Sequence, residues 1–270
     1  MTDFELEIGS ASRAGPGREH NEDSCGTVLE DRARAIAAVA DGVSSAPGGE
    51  VASGMAIEVL LRACAEEPAS LEVGQRLYRA VQQANIEIHD RAMVVPELHG
   101  MSTTLTAAAV DRGVLTAVHV GDSRLYLVRD GAIEQLTKDH TVAAEKVRYG
   151  LMSVERARSH EDRSKLLRSM GRELIVSRDR ITRRLRQGDV VLLCSDGLHG
   201  ALDDRELARL VTDGHADGAC RDLVAAAGSA GTQDDATAAI VRVVGPTPGE
   251  TAPGGLGASL RRLLRRRPDG

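Results

Sequence analysis

Acidic side chains stand where apolar runs end or turns begin in this 270-residue sequence. These positions are Glu22, Asp23, Asp41, Asp122, Asp196 and Asp234. Asp41 and Asp196 each follow an apolar run and precede a glycine, which lets the backbone turn and lets a carbonyl oxygen approach a cation. Mg²⁺ and Mn²⁺ prefer such oxygen ligands, and two of these ions about 3.5–4 Å apart can activate a water for an in-line displacement.

Each of these acidic positions carries little weight alone, because an isolated Asp-Gly pair is far more often a turn than a metal site. The metal hypothesis depends on several carboxylates converging from distant parts of the chain. Convergence requires rigid elements that end at one place in the fold. If the metal hypothesis is correct, the apolar patterns next to the acidic residues should predict strands or helices that end at these residues.

Short apolar runs of β-strand character precede or follow most of the acidic positions. A continuous run at 190–194 is typical of a fully buried strand, and it ends just before Asp196. Glycines punctuate the centre of the chain, which indicates an antiparallel meander there. The predicted strands are 3–9, 33–40, 103–110, 115–120, 124–128, 190–194 and 236–244.

Helical spacing of apolar residues appears in two pairs of segments, 49–65 with 70–92 and 203–212 with 216–228. Asp203 is a candidate cap for the third of these helices. Strands and helices occur in groups and do not alternate, which favours sheets packed on each other with helices outside. The polar, charged segment 141–166 indicates a small exposed flap.

The composition limits the core and the partners. Aromatic residues make up 1% of the chain, so Ala, Val, Leu and Ile must build the core. The net charge of −6 disfavours nonspecific binding of nucleic acid. The four cysteines have no C-x-x-C spacing, which is typical of buried thiols in a reducing compartment. Without a secretory signal or an apolar stretch of about 20 residues, we expect a cytoplasmic protein.

The composition changes after Val244, where a Gly/Pro-rich run leads into the basic segment LRRLLRRR. We therefore expect one domain over 1–244 and a linker with a basic tail over 245–270. A short helix in this tail would present leucines and arginines to an anionic membrane surface or an acidic partner. A solvated tail is the alternative, because so short a helix is marginal in water.

Read as an ordered series, the motifs carry a family resemblance. The chain resembles the type 2C protein phosphatases, the metal-dependent PPM family, over residues 5–244. The matching motifs, in chain order, are Arg18-x-x-Asn-Glu-Asp23, Asp41-Gly42, Gly100-Met-Ser-Thr-Thr104, Val120-Gly-Asp-Ser-Arg-Leu-Tyr126, Leu136-Thr-Lys-Asp-His140, Leu167-Arg-Ser-Met-Gly171, Leu192-Leu-Cys-Ser-Asp-Gly-Leu198 and Asp234-Asp-Ala-Thr237.

The resemblance implies an α+β fold, an αββα sandwich of two mainly antiparallel sheets, with two Mn²⁺ or Mg²⁺ ions in a cleft at one edge. It implies that Asp41 bridges both ions and that the Gly42 carbonyl binds one of them. Arg18 would grip the substrate phosphate with its planar fork. The remaining implied ligands are Asp196 and Asp234 for the other ion, Glu22 and Asp23 through water, and Asp122 for a third, weaker ion.

Departures from the family pattern leave parts of the site open. Val43 stands where some relatives have a histidine that is a proposed acid, so a bound water and the flap residue His160 are alternative sources of the leaving-group proton. Asp235 stands where relatives usually have Asn. Gly200 replaces an aspartate that some relatives use near the extra ion, which puts the affinity of the third ion in doubt.

The activity that the resemblance implies is hydrolysis of phosphoserine and phosphothreonine on proteins by a metal-bridging hydroxide. Phosphorylated proteins would be the substrates, and a bacterial serine/threonine kinase would be the opposing partner. A non-catalytic phosphoprotein-binding regulator is one alternative, although Asp41, Asp196 and Asp234 are all present. A metal-dependent nuclease is the other, and the acidic charge and scarce aromatics oppose it. A cysteine-dependent phosphatase is disfavoured because no cysteine has an arginine six residues later.

Overall fold

The computed structural model describes residues 5–67 and 71–244, which form a four-layer αββα sandwich. This confirms the predicted fold class. The strands are β1 (Glu5–Arg13), β2 (Asp23–Asp31), β3 (Arg34–Asp41), β4 (Leu105–Asp111), β5 (Val114–Val120), β6 (Arg124–Arg129), β7 (Ala132–Gln135), β8 (Asp179–Arg184), β9 (Val190–Cys194) and β10 (Ala236–Val244). The helices are α1 (Gly49–Glu66), α2 (Val73–Val94), α3 (Val142–Arg148), α4 (Val154–Arg158), α5 (Asp196–His199), α6 (Asp204–Thr212) and α7 (Ala216–Ser229).

Two five-stranded sheets form the centre of the sandwich. Sheet A has the order β1-β10-β9-β6-β7, and sheet B has the order β2-β3-β4-β5-β8. Every pairing of neighbouring strands is antiparallel. Helices α1 and α2 cover the outer face of sheet B, and α6 and α7 cover the outer face of sheet A.

Strand β3 shows why the inner strands are continuous apolar runs. Its alternate residues Ala35, Ala37 and Val39 pack in the core between the two sheets. Ile36 and Ala38 point the other way and pack against α1 and α2. A strand that is buried on both faces gains nothing from polar residues, so its sequence does not alternate.

Small side chains fill the core, as the composition predicts. Tyr126 is the largest fully buried side chain in the described ranges, and the others are aliphatic or methionine. Gly74 lets α2 lie directly on sheet B, because a Cβ there would meet the hydroxyl of Thr116 at 2.8 Å. Close packing of small residues offsets the shortage of large apolar side chains.

The predicted central meander is wrong for its third strand. Strands β4 and β5 pair in sheet B, but β6 belongs to sheet A, where it pairs with β7 and β9. The chain crosses between the sheets at Gly121, whose φ of 108° is easily adopted by glycine. This crossing puts Asp122 at the edge where both sheets end.

Strands β2, β7 and β8 were not predicted from the sequence. β2 and β8 lie at the two edges of sheet B, and β7 lies at one edge of sheet A. Apart from the buried Asp23, their side chains are largely polar and partly or fully exposed. Edge strands lack the apolar runs from which strands are recognised, because one side of each strand has no neighbour.

The segment 141–166, which the sequence predicts as a flap, contains the short helices α3 and α4. An isolated bridge between Thr141 and Leu166 closes its base. The predicted cap of α6 is also present, since Asp203 accepts from the backbone N–H of Glu206 in a reciprocal capping box. All four cysteines are unpaired. No helix within 5–67 and 71–244 is both long and apolar enough to cross a membrane. The predicted basic tail lies outside the described residues.

Candidate metal centre

The predicted carboxylates meet at one edge of the sandwich. Asp41 at the end of β3 lies opposite Asp23 at the start of β2. Asp196 follows the end of β9, and Asp234 precedes the start of β10, which pairs with β9. Asp122 precedes β6, whose first residue pairs with the last residue of β9. The negative charges of Asp23, Asp122, Asp196 and Asp234 all act on Asp41.

Backbone and hydroxyl contacts fix Asp41 in the middle of this cluster. Its N–H donates to the hydroxyl of Thr104 at 3.0 Å. Its carbonyl accepts from the N–H of Thr104 at 2.8 Å and from the hydroxyl of Thr103 at 2.9 Å. The Gly100–Thr104 motif therefore acts on the site by positioning Asp41.

Two glycines make room for Glu22 beside Asp41. The N–H of Gly42 donates to the Glu22 carbonyl at 3.0 Å. A Cβ at Gly49 would meet the Glu22 carboxylate at 2.7 Å, and a Cβ at Gly42 would overlap the Gly49 carbonyl. The hydroxyl of Ser44 makes a short hydrogen bond to the same carboxylate. The loop after Asp41 thus wraps around Glu22.

The clustered carboxylates hold protons more tightly than free aspartates. Burial raises the pKa of Asp23 to about 7, although hydrogen bonds from Ser195 and Thr237 oppose the shift. Burial and the charge of Asp234 raise the pKa of Asp196 to about 6. Burial and neighbouring aspartates raise the pKa values of Asp41 and Asp122 well above the ordinary range.

This donor set fits hard divalent cations. It consists of carboxylate oxygens with neighbouring backbone carbonyls, and cations of that kind would offset the mutual repulsion. Within residues 5–67 and 71–244, no three His, Cys, Asp or Glu side chains are arranged so that they could hold a metal ion by themselves. Ions such as Mg²⁺ keep several water ligands and are usually bound through only one or two carboxylates.

Arg18, which the resemblance assigns to the substrate phosphate, lies against this cluster. Its guanidinium contacts Glu22 at 3.2 Å and Asp235 at 3.2 Å, and it forms a short ion pair with Asp234. Burial disfavours the charged form of Arg18 and by itself would lower its pKa, but these carboxylates favour the charged form and raise the pKa overall. The side chain of Asp234 is 45% exposed, so this ion pair faces the cleft.

Asp235 has a structural role that the sequence reasoning missed. Its side chain is 2% exposed, and it accepts from the N–H of Gly15 at 2.8 Å and from that of Glu22 at 2.7 Å. It also accepts from Arg18. Asp235 therefore ties the segment after β1 to Glu22. The only signal in the sequence was its departure from the family's usual Asn.

Ser195 is a second residue that the sequence reasoning missed. Its hydroxyl donates to Asp23 at 2.6 Å and accepts from the N–H of Thr237 at 3.0 Å. It precedes the predicted ligand Asp196, and its position in that motif was the available signal. Ser195 thus connects β2, β9 and β10 directly beneath the carboxylates.

The flap presents an arginine to the carboxylates. The positive charge of Arg163 lowers the pKa of Asp196 against the effects that raise it. His160 instead accepts from the N–H of Asp162 at 3.1 Å and lies 3.6 Å from its carboxylate. Its imidazole is therefore engaged within the flap.

Histidines hold the turn that carries Asp122. His199 contacts the carbonyl of Asp122 at 3.0 Å through Nε2. The ring of His140 accepts from the N–H of Gly121 at 3.1 Å. Gly200 follows His199 and is exposed, so it adds no side chain to the charge beside Asp122.

A four-layer αββα sandwich with buried carboxylates and one arginine at a sheet edge defines the class of metal-dependent phosphatases. Comparisons with known proteins agree. The family model for protein phosphatase 2C matches residues 16–237. The serine/threonine phosphatase Stp of Listeria innocua is 36% identical over 197 residues, which are 72% of this chain and 78% of that protein.

Solved structures give the same result. The catalytic domain of the phosphatase PstP in complex with two manganese ions is 32% identical, with a TM-score of 0.78 over 89% of this chain and 99% of that chain. Stp1 of Staphylococcus aureus is 28% identical, with a TM-score of 0.84 over 90% of this chain and 97% of that chain. The chain belongs to the protein phosphatase 2C family.

We expect Asp41→Asn to stabilise the protein in chelator while weakening its stabilisation by Mn²⁺. The change replaces a carboxyl group whose ionisation the neighbouring aspartates oppose. The amide can still donate to Asp196, with which Asp41 shares a hydrogen bond. Saturation with an ion at about 100 times its Kd should stabilise the wild type by about 2.7 kcal/mol. Calorimetric unfolding with EDTA and with Mn²⁺ measures both effects.

The exposed Asp222→Asn on α7 is the matched control, and it should change neither melting temperature. If Asp41→Asn gains as much from Mn²⁺ as the wild type does, Asp41 is not a ligand. A lower melting temperature in chelator would show that the carboxylates do not repel each other as described.

We expect Asp235→Ala to destabilise the fold by about 1–3 kcal/mol, because two buried N–H groups lose their acceptor. Asp235→Asn should cost less, since its amide oxygen can still accept one of these bonds. Urea unfolding measures the differences. The exposed Asp222→Ala is the control, and equal midpoints for Asp235→Ala and the wild type would contradict the role assigned to Asp235.

Proposed function

We infer that this chain is a bacterial-type serine/threonine phosphatase that hydrolyses phosphoserine and phosphothreonine on proteins with the help of divalent metal ions. The observation that carries this inference is that Arg18 and the predicted ligands share one edge of the sandwich. The matched relatives are named serine/threonine phosphatases, and PstP binds two manganese ions.

Each residue of the cluster receives a role in this proposal. Asp41 would hold both ions, and the Gly42 carbonyl would bind one of them. Asp196 and Asp234 would hold the other, Glu22 and Asp23 would act through water, and Asp122 would serve a third, weaker ion. When bound, the ions supply the charge that activates the attacking water and offsets charge developing on the phosphate.

Arg18 would bind the phosphate itself. In the present arrangement three carboxylates occupy its guanidinium. As metal ligands, Glu22 and Asp234 would share their charge with the ions, and the planar fork of Arg18 would be available for two phosphate oxygens. Asp235 stays bound to backbone amides and keeps Arg18 aimed at the cleft.

Water is our proposed source of the leaving-group proton. Val43 has no titratable side chain, and His160 is engaged by Asp162 within the flap. The flap arginine Arg163 adds positive charge near Asp196. This choice retains one of the two alternatives that the sequence left open.

The alternative functions lack a supporting contact. A non-catalytic regulator has no need of the complete set of Asp41, Asp196 and Asp234 together with a half-buried Arg18. A nuclease needs a surface for a polyanionic backbone, and the chain's net charge of −6 opposes that. Phosphorylated protein is therefore the substrate class that we propose.

We also propose an opposing serine/threonine kinase and a cytoplasmic location. A phosphatase acts on what a kinase has modified, so a kinase must share its substrates. The four unpaired cysteines support a reducing compartment. The catalytic unit that we propose ends at Val244, the last residue of β10. Strand β10 lies between β1 and β9 in sheet A.

We expect hydrolysis of a phosphothreonine peptide to require Mn²⁺ or Mg²⁺, and Arg18→Ala to lower kcat/KM by roughly ten- to a hundredfold. Charge-assisted hydrogen bonds contribute about 1.5–3 kcal/mol, which corresponds to that loss. The kcat/KM of Arg18→Lys should fall between those of the wild type and Arg18→Ala, because lysine keeps the positive charge but lacks the planar fork of the guanidinium. Steady-state kinetics beside a Mn²⁺ titration provides the measurement.

Full activity in EDTA would contradict the metal mechanism. An unchanged kcat/KM for Arg18→Ala would place Arg18 outside the phosphate site. Loss of Mn²⁺ binding in the same variant would show that Arg18 serves the ions instead of the substrate.

We expect a chain truncated after Val244 to hydrolyse phosphopeptides within about twofold of the full chain, because all the residues assigned to the site, from Arg18 to Asp235, lie before that point. The same kinetics measures the effect, and circular dichroism controls for folding. A further sedimentation assay with anionic vesicles tests the tail. If truncation destroys catalysis, the proposed boundary is wrong, and if the full chain never sediments at low salt, membrane docking is wrong.

A further inference from the structure

A groove of about 420 Å³ lies between the end of β7 and the start of β8, outside the carboxylate cluster. We call it the basic groove. Its lining residues are Leu136, Lys138, Arg178, Asp179, Arg180 and Ile181. It combines three cations with two aliphatic side chains, which is the lining expected for an anionic polypeptide segment.

The charge of this region is opposite to that of the whole chain. The segment 178–186 contains five arginines and one acid, whereas the chain has a net charge of −6. The strand within it, β8, is at the edge of sheet B and has β5 as its one neighbour there. An edge strand can accept an extended peptide alongside it.

Two of the three cations in the groove are available for a ligand. Lys138 and Arg180 are exposed, and within the described residues neither side chain has a hydrogen-bond or ion-pair partner. Asp179, the acid in the groove, is already bound to Arg168 at 2.9 Å and lies 3.3 Å from His140. It therefore neutralises neither of the free cations.

The third cation, Arg178, is held rigidly. Its guanidinium stacks on the ring of Tyr78 at 3.8 Å and donates to Gln82 at 2.9 Å. Its Nε is buried without a hydrogen-bond partner. A fixed cation loses little side-chain entropy when it pairs with an incoming carboxylate.

Contacts connect the basic groove with the candidate metal centre. Asp179 contacts Nε2 of His140, and Nδ1 of the same ring accepts from Gly121, the residue before Asp122. The basic groove is therefore linked through Asp179 and His140 to the turn that carries Asp122.

We propose that the basic groove binds an acidic segment of the phosphoprotein substrate, separate from the phosphorylated residue. This inference rests on the proposed function. Carboxylates of the segment pair with Lys138 and Arg180, and its apolar atoms lie on Leu136 and Ile181. Exposed pairs of this kind accelerate association and select partners by charge.

The test compares the wild type with the double variant Lys138→Glu/Arg180→Glu. The substrates are phosphothreonine peptides with a run of glutamates before or after the phosphorylated residue, and the same peptides with glutamine instead. We expect kcat/KM of the better glutamate peptide to fall about tenfold in the variant. The glutamine peptides and p-nitrophenyl phosphate should change by less than about twofold, which also shows that the variant is folded.

The matched control is Arg205→Glu/Arg221→Glu, which makes the same change of charge at exposed arginines on α6 and α7. It should leave the preference for glutamate peptides intact. If it reduces that preference as much as the groove variant does, only net charge is involved and the proposal is wrong. Equal hydrolysis of glutamate and glutamine peptides by the wild type also overturns it.

Binding measured without catalysis separates this inference from the proposed function. Fluorescence anisotropy of a labelled glutamate peptide without phosphate should show weaker binding to the groove variant than to the wild type and the control. If the wild type binds this peptide through the groove yet hydrolyses no phosphopeptide, the groove proposal stands and the proposed function fails. Tighter binding of a labelled oligonucleotide at the groove would overturn the choice of an acidic polypeptide.

Discussion

Mutual repulsion among buried carboxylates is the constraint on which the structure depends. Asp23, Asp41, Asp122 and Asp196 each have a raised pKa, because burial and neighbouring charges both oppose ionisation. No fold gathers such groups without a cost of several kcal/mol per buried charge. The sandwich must therefore hold the cluster together by other interactions until divalent cations offset its charge.

The αββα frame provides that restraint by ending several strands at one edge. Asp41 is fixed by three hydrogen bonds to Thr103 and Thr104, and Asp23 by the buried hydroxyl of Ser195. Contacts of this kind act on the backbone or on one oxygen and leave other lone pairs free for ions. The carboxylates are therefore held rigidly and still have free lone pairs. A site for ions that keep several water ligands needs both properties.

The sequence revealed the inner elements and the ligand motifs because both leave strong patterns. Strands β3 and β9 are buried on two faces, so their apolar runs are continuous and their ends are clear. The edge strands β7 and β8 are exposed and short, and their polar residues resemble loops. The crossing at Gly121 was missed because glycine marks a turn without telling which sheet receives the next strand.

Residues that act through other residues were the hardest to predict. Asp235 and Ser195 stand beside predicted ligands in the chain, but their contacts reach segments more than 170 residues away in sequence, at Gly15 and Asp23. Spacing within a motif has no information on such contacts, because they depend on how β1, β2, β9 and β10 are paired. Only the three-dimensional register distinguishes a ligand from the group that holds it.

The positions of individual charges explain how an acidic protein can bind an anionic substrate. The net charge of −6 and the carboxylate cluster both repel phosphate, yet this repulsion is screened beyond a Debye length of about 8 Å at physiological salt. Over shorter distances the nearest groups decide, and beside the carboxylates these include two arginines. Arg18 lies within the cluster and Arg163 approaches it from the flap. These two side chains can meet a phosphate at the site although the carboxylates around them and the chain as a whole are negative.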